Sequence, residues 1–142
     1  MPVYLLATLD TKGLEAAWLR ACLTELGVEV QLVDVAPLGP PQTLPDIPRE
    51  TVFACGAIPL SDVEARRDRG HAVSAAMAAA AEFVAREHAA GRVQGVLAIG
   101  GSAGTTIATA AMRRLPPGIP KLMVSTLASG QVRPWVGNRD IL

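Results

Sequence analysis

Two patterns of apolar residues alternate along the chain. Short continuous apolar runs, which are typical of strands covered on both faces, occupy residues 3–8, 28–35, 96–99 and 122–124. Helical spacing, with apolar residues recurring every three or four positions, covers residues 14–26 up to Gly27, and returns over about residues 70–90 and 106–115. The first of these helices has a predicted packing face made of Leu14, Ala17, Trp18, Ala21, Cys22 and Leu26.

The alternation of strands and helices predicts an α/β fold. Strand–helix–strand units are almost always right-handed and join parallel strands. We therefore expect a doubly wound, mainly parallel sheet of at least four strands, with helices on both faces and the first strand central between the second and the third. At 142 residues the chain has the size of a single domain, here residues 1–142.

Three segments are less regular. Residues 36–48 contain five prolines and Gly39, which excludes a helix interior or a central strand and predicts an extended loop that serves or covers a site. Residues 51–55 fit either a short strand or a helical turn, and residues 61–64 fit a capping box at the start of a helix. The Ala-rich helix over residues 70–90 packs either inside the domain, which we favour, or against a second subunit.

Composition narrows the classes of function. Thirteen basic residues balance thirteen acidic ones, so no large net field attracts nucleic acid or an anionic membrane. No apolar run approaches the roughly 18 residues that span a bilayer, and nothing resembles a signal peptide, so we expect a cytoplasmic protein. Cys22 and Cys55 are expected to be buried apolar groups, and His71 and His88 to lie on the solvated surface. The sequence names no catalytic residue and no metal site.

The strongest candidate site is a glycine-rich turn between the third strand and the helix that follows it. Its members are Gly100, Gly101, Ser102, Ala103, Gly104, Thr105 and Thr106. Glycines let the backbone approach a ligand, and the amides and dipole of a helix start favour an anion. The turn is neither a Walker A loop nor G-x-G-x-x-G, so it predicts a phosphate site or, alternatively, only a tight turn that needs glycine to pack.

Two further polar loops follow strands of the same sheet. The loop after the first strand carries Thr8, Asp10, Thr11 and Lys12. There Asp10 or Thr11 fits a helix cap, Lys12 suits a phosphate, and Asp10 suits a metal ion held through water. The loop after the fourth strand carries Ser125, Thr126, Ser129 and Gly130. Because the ends of parallel strands meet at one edge, we expect all three loops to converge on a ligand there.

A series of ordered motifs gives the chain a family resemblance. From Val3 to Ile141 the chain reads TLDTKG, DV-x-x-LGPP, RDRG, GGSAGT, AMRRLP, KLMVSTLASG and PWVG-x-x-DI. Together these motifs resemble the N-terminal ATP-binding domain of the family typified by the plant tobamovirus-resistance protein. The resemblance implies a Rossmann-like nucleotide-binding domain that forms homodimers. In the plant protein it also implies inhibition of viral RNA replication through a viral replication protein.

The resemblance also assigns the ligand-binding motifs and shows two departures from them. The motifs fall on residues 8–13, 100–106 and 125–130. Ala103 stands where the family has a second glycine pair, which would strain or weaken the site if the position needs a positive φ. Family members are also much longer and continue into a second domain.

Three functions follow from these observations. The leading hypothesis is an ATP-binding module, with or without magnesium, that has little or no turnover by itself. The second is part of an enzyme for a small phosphorylated or carboxylated substrate, with catalytic groups in a second domain or subunit. The third is a protein-interaction domain in which the glycine turn is only structural.

Overall fold

The computed structural model of the chain describes all residues, 1–142. Four strands, β1 (Val3–Ala7), β2 (Val30–Asp34), β3 (Gly95–Gly100) and β4 (Lys121–Ser125), form one sheet in the order β2-β1-β3-β4, and every pair is parallel. The helices are α1 (Leu9–Glu25), α2 (Arg49–Phe53), α3 (Leu60–Arg66), α4 (Arg69–Ala89), α5 (Ser102–Met112) and α6 (Arg133–Val136). The α/β class, the parallel sheet and the central position of β1 are confirmed.

Helices lie on both faces of the sheet, as predicted. Because successive side chains of a strand point to opposite faces, Tyr4 and Leu6 of β1 contribute to the core under α4 and α5. Leu5 and Ala7 contribute to a smaller core under α1 on the other face. None of the helices combines the length and the hydropathy that crossing a membrane requires.

The Ala-rich side of α4 packs inside the domain. Its buried residues are Ala72, Ala75, Ala76, Ala79, Ala80, Phe83 and Val84. Small side chains allow a neighbouring helix to approach closely, and α4 packs along α5 in the larger core. The internal alternative is therefore confirmed, and this surface is not available for a subunit contact.

The predicted packing face of α1 is wrong. The helix begins at Leu9, and its buried residues are Leu9, Gly13 and Ala16. Leu14 and Trp18 are 68% and 69% exposed. Small residues face inward because the proline-rich loop lies against the helix. A Cβ on Gly13 would lie 2.6 Å from the Gln42 Cβ. The Gly13 amide also donates a hydrogen bond to Gln42 Oε1 (3.1 Å).

Several other boundaries also differ from the sequence prediction. The helix α5 begins at Ser102 rather than near residue 106, so the glycine turn forms its first turn. The ambiguous segment at residues 51–55 lies mostly in α2. The helix α3 follows Pro59 and has no side-chain cap, so the predicted capping box is wrong. Cys22 and Cys55 are half-buried free thiols rather than buried apolar groups.

The proline-rich loop is extended, as predicted, and runs along the outer edge of β2. The amides of Asp46 and Ile47 both donate to the Leu32 carbonyl (2.9 and 3.0 Å). The Asp34 amide donates in turn to the Ile47 carbonyl (3.0 Å). The loop thereby occupies the backbone groups of an edge strand that would otherwise be open.

Candidate functional site

Three helices begin beside the carboxyl ends of β1 and β3. Thr8 precedes α1, Asp68 precedes α4 and Gly101 precedes α5. We call the small depression between them the edge cleft. It is lined by Thr8, Asp10, Thr11, Pro37, Leu38, Arg69, Val73 and Ala103. The structure thus brings parts of two predicted loops together, along with Arg69, which the sequence prediction missed.

The start of α5 presents backbone amides without a side-chain cap. The first hydrogen bond of the helix runs from the Thr105 amide to the Gly101 carbonyl (2.9 Å). A helix leaves its first four amides without an intrahelical partner, and here these are the amides of residues 101–104. No side chain caps them. The aligned peptide dipoles make this end of the helix attractive to an anion. The sequence predicts available amides over residues 101–105, but that of Thr105 is used within the helix.

The starts of α1 and α4, by contrast, are occupied by carboxylates of the protein itself. The Leu9 amide donates to Asp34 Oδ1 (3.2 Å), and the His71 amide donates to Asp68 Oδ1 (3.2 Å). Neither Asp10 nor Thr11 is the cap of α1, because Thr8 holds that position without a side-chain cap bond. Of the three helix starts at this edge, only that of α5 lacks a carboxylate partner.

Asp34 also forms a buried ion pair. Its Oδ2 accepts from Arg49 Nε (2.8 Å), its Oδ1 accepts from the Ala36 amide (3.0 Å), and the two side chains are 2% and 8% exposed. In many dinucleotide-binding sheets an acidic residue about 20 positions beyond the glycine fingerprint binds the ribose hydroxyl. Asp34 lies at the end of β2, but its oxygens are already engaged with the protein.

The glycines of the turn have different roles. A Cβ on Gly100 would lie 2.9 Å from backbone atoms of Gly104 and Thr105, so the strand–helix turn itself requires glycine there. A Cβ on Gly101 would meet only Thr126 Oγ1, at 3.8 Å, which is an ordinary contact. Packing therefore explains Gly100 but not Gly101. Ala103 lies in the helix and has no positive φ, so the strain considered for this position is absent.

The predicted hydroxyls divide into internal and cleft-lining groups. Thr105 Oγ1 and Ser125 Oγ are 2.5 Å apart, Ser125 Oγ accepts from the Leu127 amide, and Thr106 Oγ1 donates to the Ser102 carbonyl. Thr8 and Thr11 line the edge cleft, with their Oγ1 atoms 3.1 Å apart.

The remaining predicted loop residues do not line the edge cleft. Ser102 is exposed at the helix start, and Thr126 is exposed beside Gly101. Ser129 and Gly130 are also exposed, farther along the loop after β4. Of that loop, Thr126 is thus the predicted residue nearest to the glycine turn.

The charges at the cleft are not those expected from the sequence. Lys12 does not line it, and its Nζ lies 3.3 Å from Glu15 Oε1 on the same helix. The cation that lines the cleft is Arg69, at the start of α4. Burial raises the pKa of Asp10, the Asp34 charge raises it further, and only the Arg49 charge and nearby amides oppose the shift.

Neither histidine belongs to the cleft. His71 and His88 are half-buried in α4 rather than on the solvated surface, and the buried Nε2 of His71 has no hydrogen-bond partner. No group of three or more His, Cys, Asp or Glu side chains is arranged to hold a metal ion. For Arg69, the RDRG motif at residues 67–70 was the sequence signal that could have pointed to the cleft.

A larger groove adjoins the edge cleft. The cleft encloses only about 30 Å³, whereas the groove measures about 640 Å³, within the usual range for a small-molecule site. Leu38 lines both. The other lining residues of the groove are Gly39, Pro40, Pro41, Arg49, Glu50, Glu64 and Arg67.

The fold and the edge cleft together define an α/β domain with a candidate anion site at the carboxyl edge of its sheet. A family model described as the N-terminal domain of the uncharacterised protein family UPF0261 matches residues 1–142. The chain belongs to that family, and the resemblance seen in the sequence is confirmed.

Similar proteins come from bacteria and from tomato. A UPF0261 protein of Rhizobium meliloti is 45% identical over 99% of this chain, and one of Clostridium tetani is 40% identical over 98%. In both cases the match covers 34% of the relative, so the chain spans about a third of its length. The tomato ToMV resistance protein Tm-1(GCR237) is 33% identical over 68% of this chain and 13% of its own length. The tomato ToMV susceptible protein matches equally far, at 35%.

Proposed function

We propose that this domain binds the phosphate end of a nucleotide, with ATP as the ligand, and turns it over little or not at all by itself. The observation that carries the proposal is the start of α5, where the amides of residues 101–104 lack the carboxylate that occupies the starts of α1 and α4. Amides and a helix dipole at such a position are a common way for proteins to bind phosphate.

Arg69 supplies the positive charge in this proposal. Backbone amides and hydroxyls satisfy phosphate oxygens but do not neutralise a triphosphate, so a cation is needed nearby. Arg69 lines the edge cleft and forms no ion pair. The planar guanidinium can also donate two parallel hydrogen bonds to one phosphate.

The adenosine end of the ligand needs more space than the edge cleft offers. We propose that the adenosine end lies in the adjoining groove. Leu38 lines both depressions, so a ligand whose phosphates contact Arg69 would extend past Leu38 into the groove. If a magnesium ion accompanies the phosphates, Asp10 is the carboxylate that lines the cleft. Its raised pKa means that the protein disfavours a bare charge there, and a bound cation would reverse that effect.

The family relationship adds three proposals about the wider protein. We propose a cytoplasmic location, as expected from the sequence. We also propose a second domain or subunit, since the bacterial relatives are about three times as long as the matched region. Homodimer formation rests on the resemblance alone, because the Ala-rich face of α4 is internal. The names of the tomato relatives connect those proteins to ToMV resistance and susceptibility.

Calorimetric titration with ATP, inorganic triphosphate and adenosine tests the proposal. We expect ATP and triphosphate to bind and adenosine to bind far more weakly, because the phosphate end contributes the charged contacts. A parallel assay should detect no phosphate release above the buffer control. Binding of adenosine alone would contradict the phosphate site, and steady phosphate release would favour an enzyme for a phosphorylated substrate instead.

A further inference from the structure

The two faces of the sheet are covered unequally. On the face that carries α1, the helix covers β2 and β1 and leaves part of β3 and β4 open. Met123 of β4 packs against the larger core, so its neighbours Leu122 and Val124 point to the α1 face. Their side chains are 45% and 54% exposed there. We call Leu14, Trp18, Ile99, Leu122 and Val124 the open face.

The open face is unusual for a parallel sheet. Such sheets are almost always covered on both sides, because their crossover helices lie on the faces. Trp18 and Leu14 project from α1 toward the same region and line one shallow apolar groove with Ile99 and Val124. Contiguous apolar surfaces of this kind are typical of sites that bind another molecule or another part of the chain.

The outer edge of β4, beside the open face, already forms backbone hydrogen bonds with Leu142 in the pattern of a further strand. The Leu142 amide donates to the Lys121 carbonyl (3.0 Å), and the Met123 amide donates to the Leu142 carbonyl (2.8 Å). These two bonds are the pattern of a parallel pair in which Leu142 lies opposite Leu122. The opposite edge, that of β2, is already occupied by Asp46 and Ile47.

We propose that the polypeptide that follows this region in the longer relatives completes the sheet here. In this proposal a fifth strand pairs parallel to β4 and a following amphipathic helix packs across the open face, beside α1. The resulting order, 2-1-3-4-5, is one of the two common orders of doubly wound sheets. The matched family model is that of an N-terminal domain, and the bacterial relatives have about two thirds of their length outside the match, which is ample length for a further strand and helix.

A fusion protein tests this proposal through Trp18. The segment that directly follows the matched region in the Rhizobium meliloti relative, about 40 residues and therefore enough for a strand and a helix, is joined to Leu142. Both the fused and the unfused chain carry Trp135→Phe, and any tryptophan of the added segment is replaced by phenylalanine, so that Trp18 is the only tryptophan. We expect acrylamide quenching of Trp18 to fall at least threefold in the fused chain. Unchanged quenching would overturn the proposal.

Charge substitutions identify the surface that is covered. Val124→Lys on the open face should restore Trp18 quenching in the fused chain, since burying a lysine charge in an apolar contact is costly. Leu26→Lys is the matched control, because Leu26 is 79% exposed and lies outside the open face, and it should change nothing. If the unfused chain instead sediments as a dimer that Val124→Lys dissociates, the occupant is a second copy and the proposal is wrong.

Discussion

The starts of α1 and α5 occupy similar positions in the fold, but their first amides have different partners. Each follows one of two adjacent central strands and points its first amides at the same edge of the sheet. At α1 the Leu9 amide is bound by the buried carboxylate of Asp34, whereas at α5 no side chain caps the helix. One helix start therefore carries an anion as part of the fold, and the other carries none.

The comparison also separates the two polar motifs that the sequence places at this edge. The start of α1 is fixed by the proline-rich loop, in which the Gln42 amide donates to the Leu9 carbonyl (2.8 Å) and Gly39 lies against Asp10. The glycine turn at α5 has an open side next to Gly101. The motif at residues 8–13 thus builds and lines the cleft, and the motif at residues 100–106 offers the amides.

Removing the Asp34 carboxylate from the start of α1 should have the largest effect on stability. We expect Asp34→Ala to lower the free energy of unfolding by about 3–5 kcal/mol, because it leaves the buried Arg49 guanidinium without its carboxylate. Asp68→Ala, which removes only the exposed cap of α4, should cost about 1 kcal/mol. Urea unfolding measures both. Equal losses in the two variants would show that the Asp34 carboxylate is merely another cap.

A substitution within the glycine turn sharpens the contrast between shape and function. Gly100→Ala should cost about 1–3 kcal/mol, because the new Cβ would meet backbone atoms that cannot move aside. Gly101→Ala, its neighbour and control, should unfold within about 0.5 kcal/mol of the parent protein, the usual range for surface substitutions. A large loss at Gly101 in the same urea experiment would mean that this glycine is also explained by folding.

The cation that serves the α5 start is tested by two single substitutions. Arg69→Ala should weaken ATP binding roughly ten- to a hundredfold, which corresponds to the loss of one charge-assisted contact. Lys12→Ala should bind ATP like the parent, since Lys12 pairs with Glu15 and does not line the cleft. Calorimetric titration distinguishes them. The reverse ranking would restore Lys12 as the phosphate ligand.

The smallest expected effect concerns Asp10 in the first turn of α1. Burial raises the pKa of this carboxyl in the folded protein, so the folded state holds the proton more tightly than the unfolded chain does. The contribution of Asp10 to stability therefore falls as pH rises through the interval between its unfolded and its folded pKa. Between pH 3 and pH 7, the stability of Asp10→Asn should improve slightly relative to the parent. A change in the opposite direction would contradict the cause assigned to the shift.

The sheet could be predicted from the sequence because buried parallel strands leave a local signal. Each apolar run of residues 3–8, 28–35, 96–99 and 122–124 contains or overlaps one observed strand. The packing face of α1 could not be predicted this way, because close approach of the proline-rich loop favours Gly13 and Ala16 over larger apolar residues. Local periodicity carries no information about such a tertiary contact.

The position of the glycine turn in the fold was predictable, but the contacts around it were not. Glycines and hydroxyls after β3 pointed to the turn at residues 100–106, and the structure places that turn at the expected edge. Which helix start is free depends on Asp34, which lies 25 residues from the amide it binds. The position of Arg69 likewise depends on where α4 begins relative to β1 and β3. Neither relationship is visible in sequence spacing.

The most direct test of the account gives α5 the carboxylate that it lacks. Gly101→Asp introduces an acidic capping residue at the start of α5, whereas Gly101→Ala adds only a Cβ, with no capping oxygen and no charge. We predict that calorimetric titration finds ATP affinities of the parent protein and of Gly101→Ala within about threefold of each other. Gly101→Asp should bind ATP at least about tenfold more weakly, a difference of about 1.4 kcal/mol or more. Equal affinity in all three proteins, or no binding by the parent, would contradict the proposal that the start of α5 holds the phosphate.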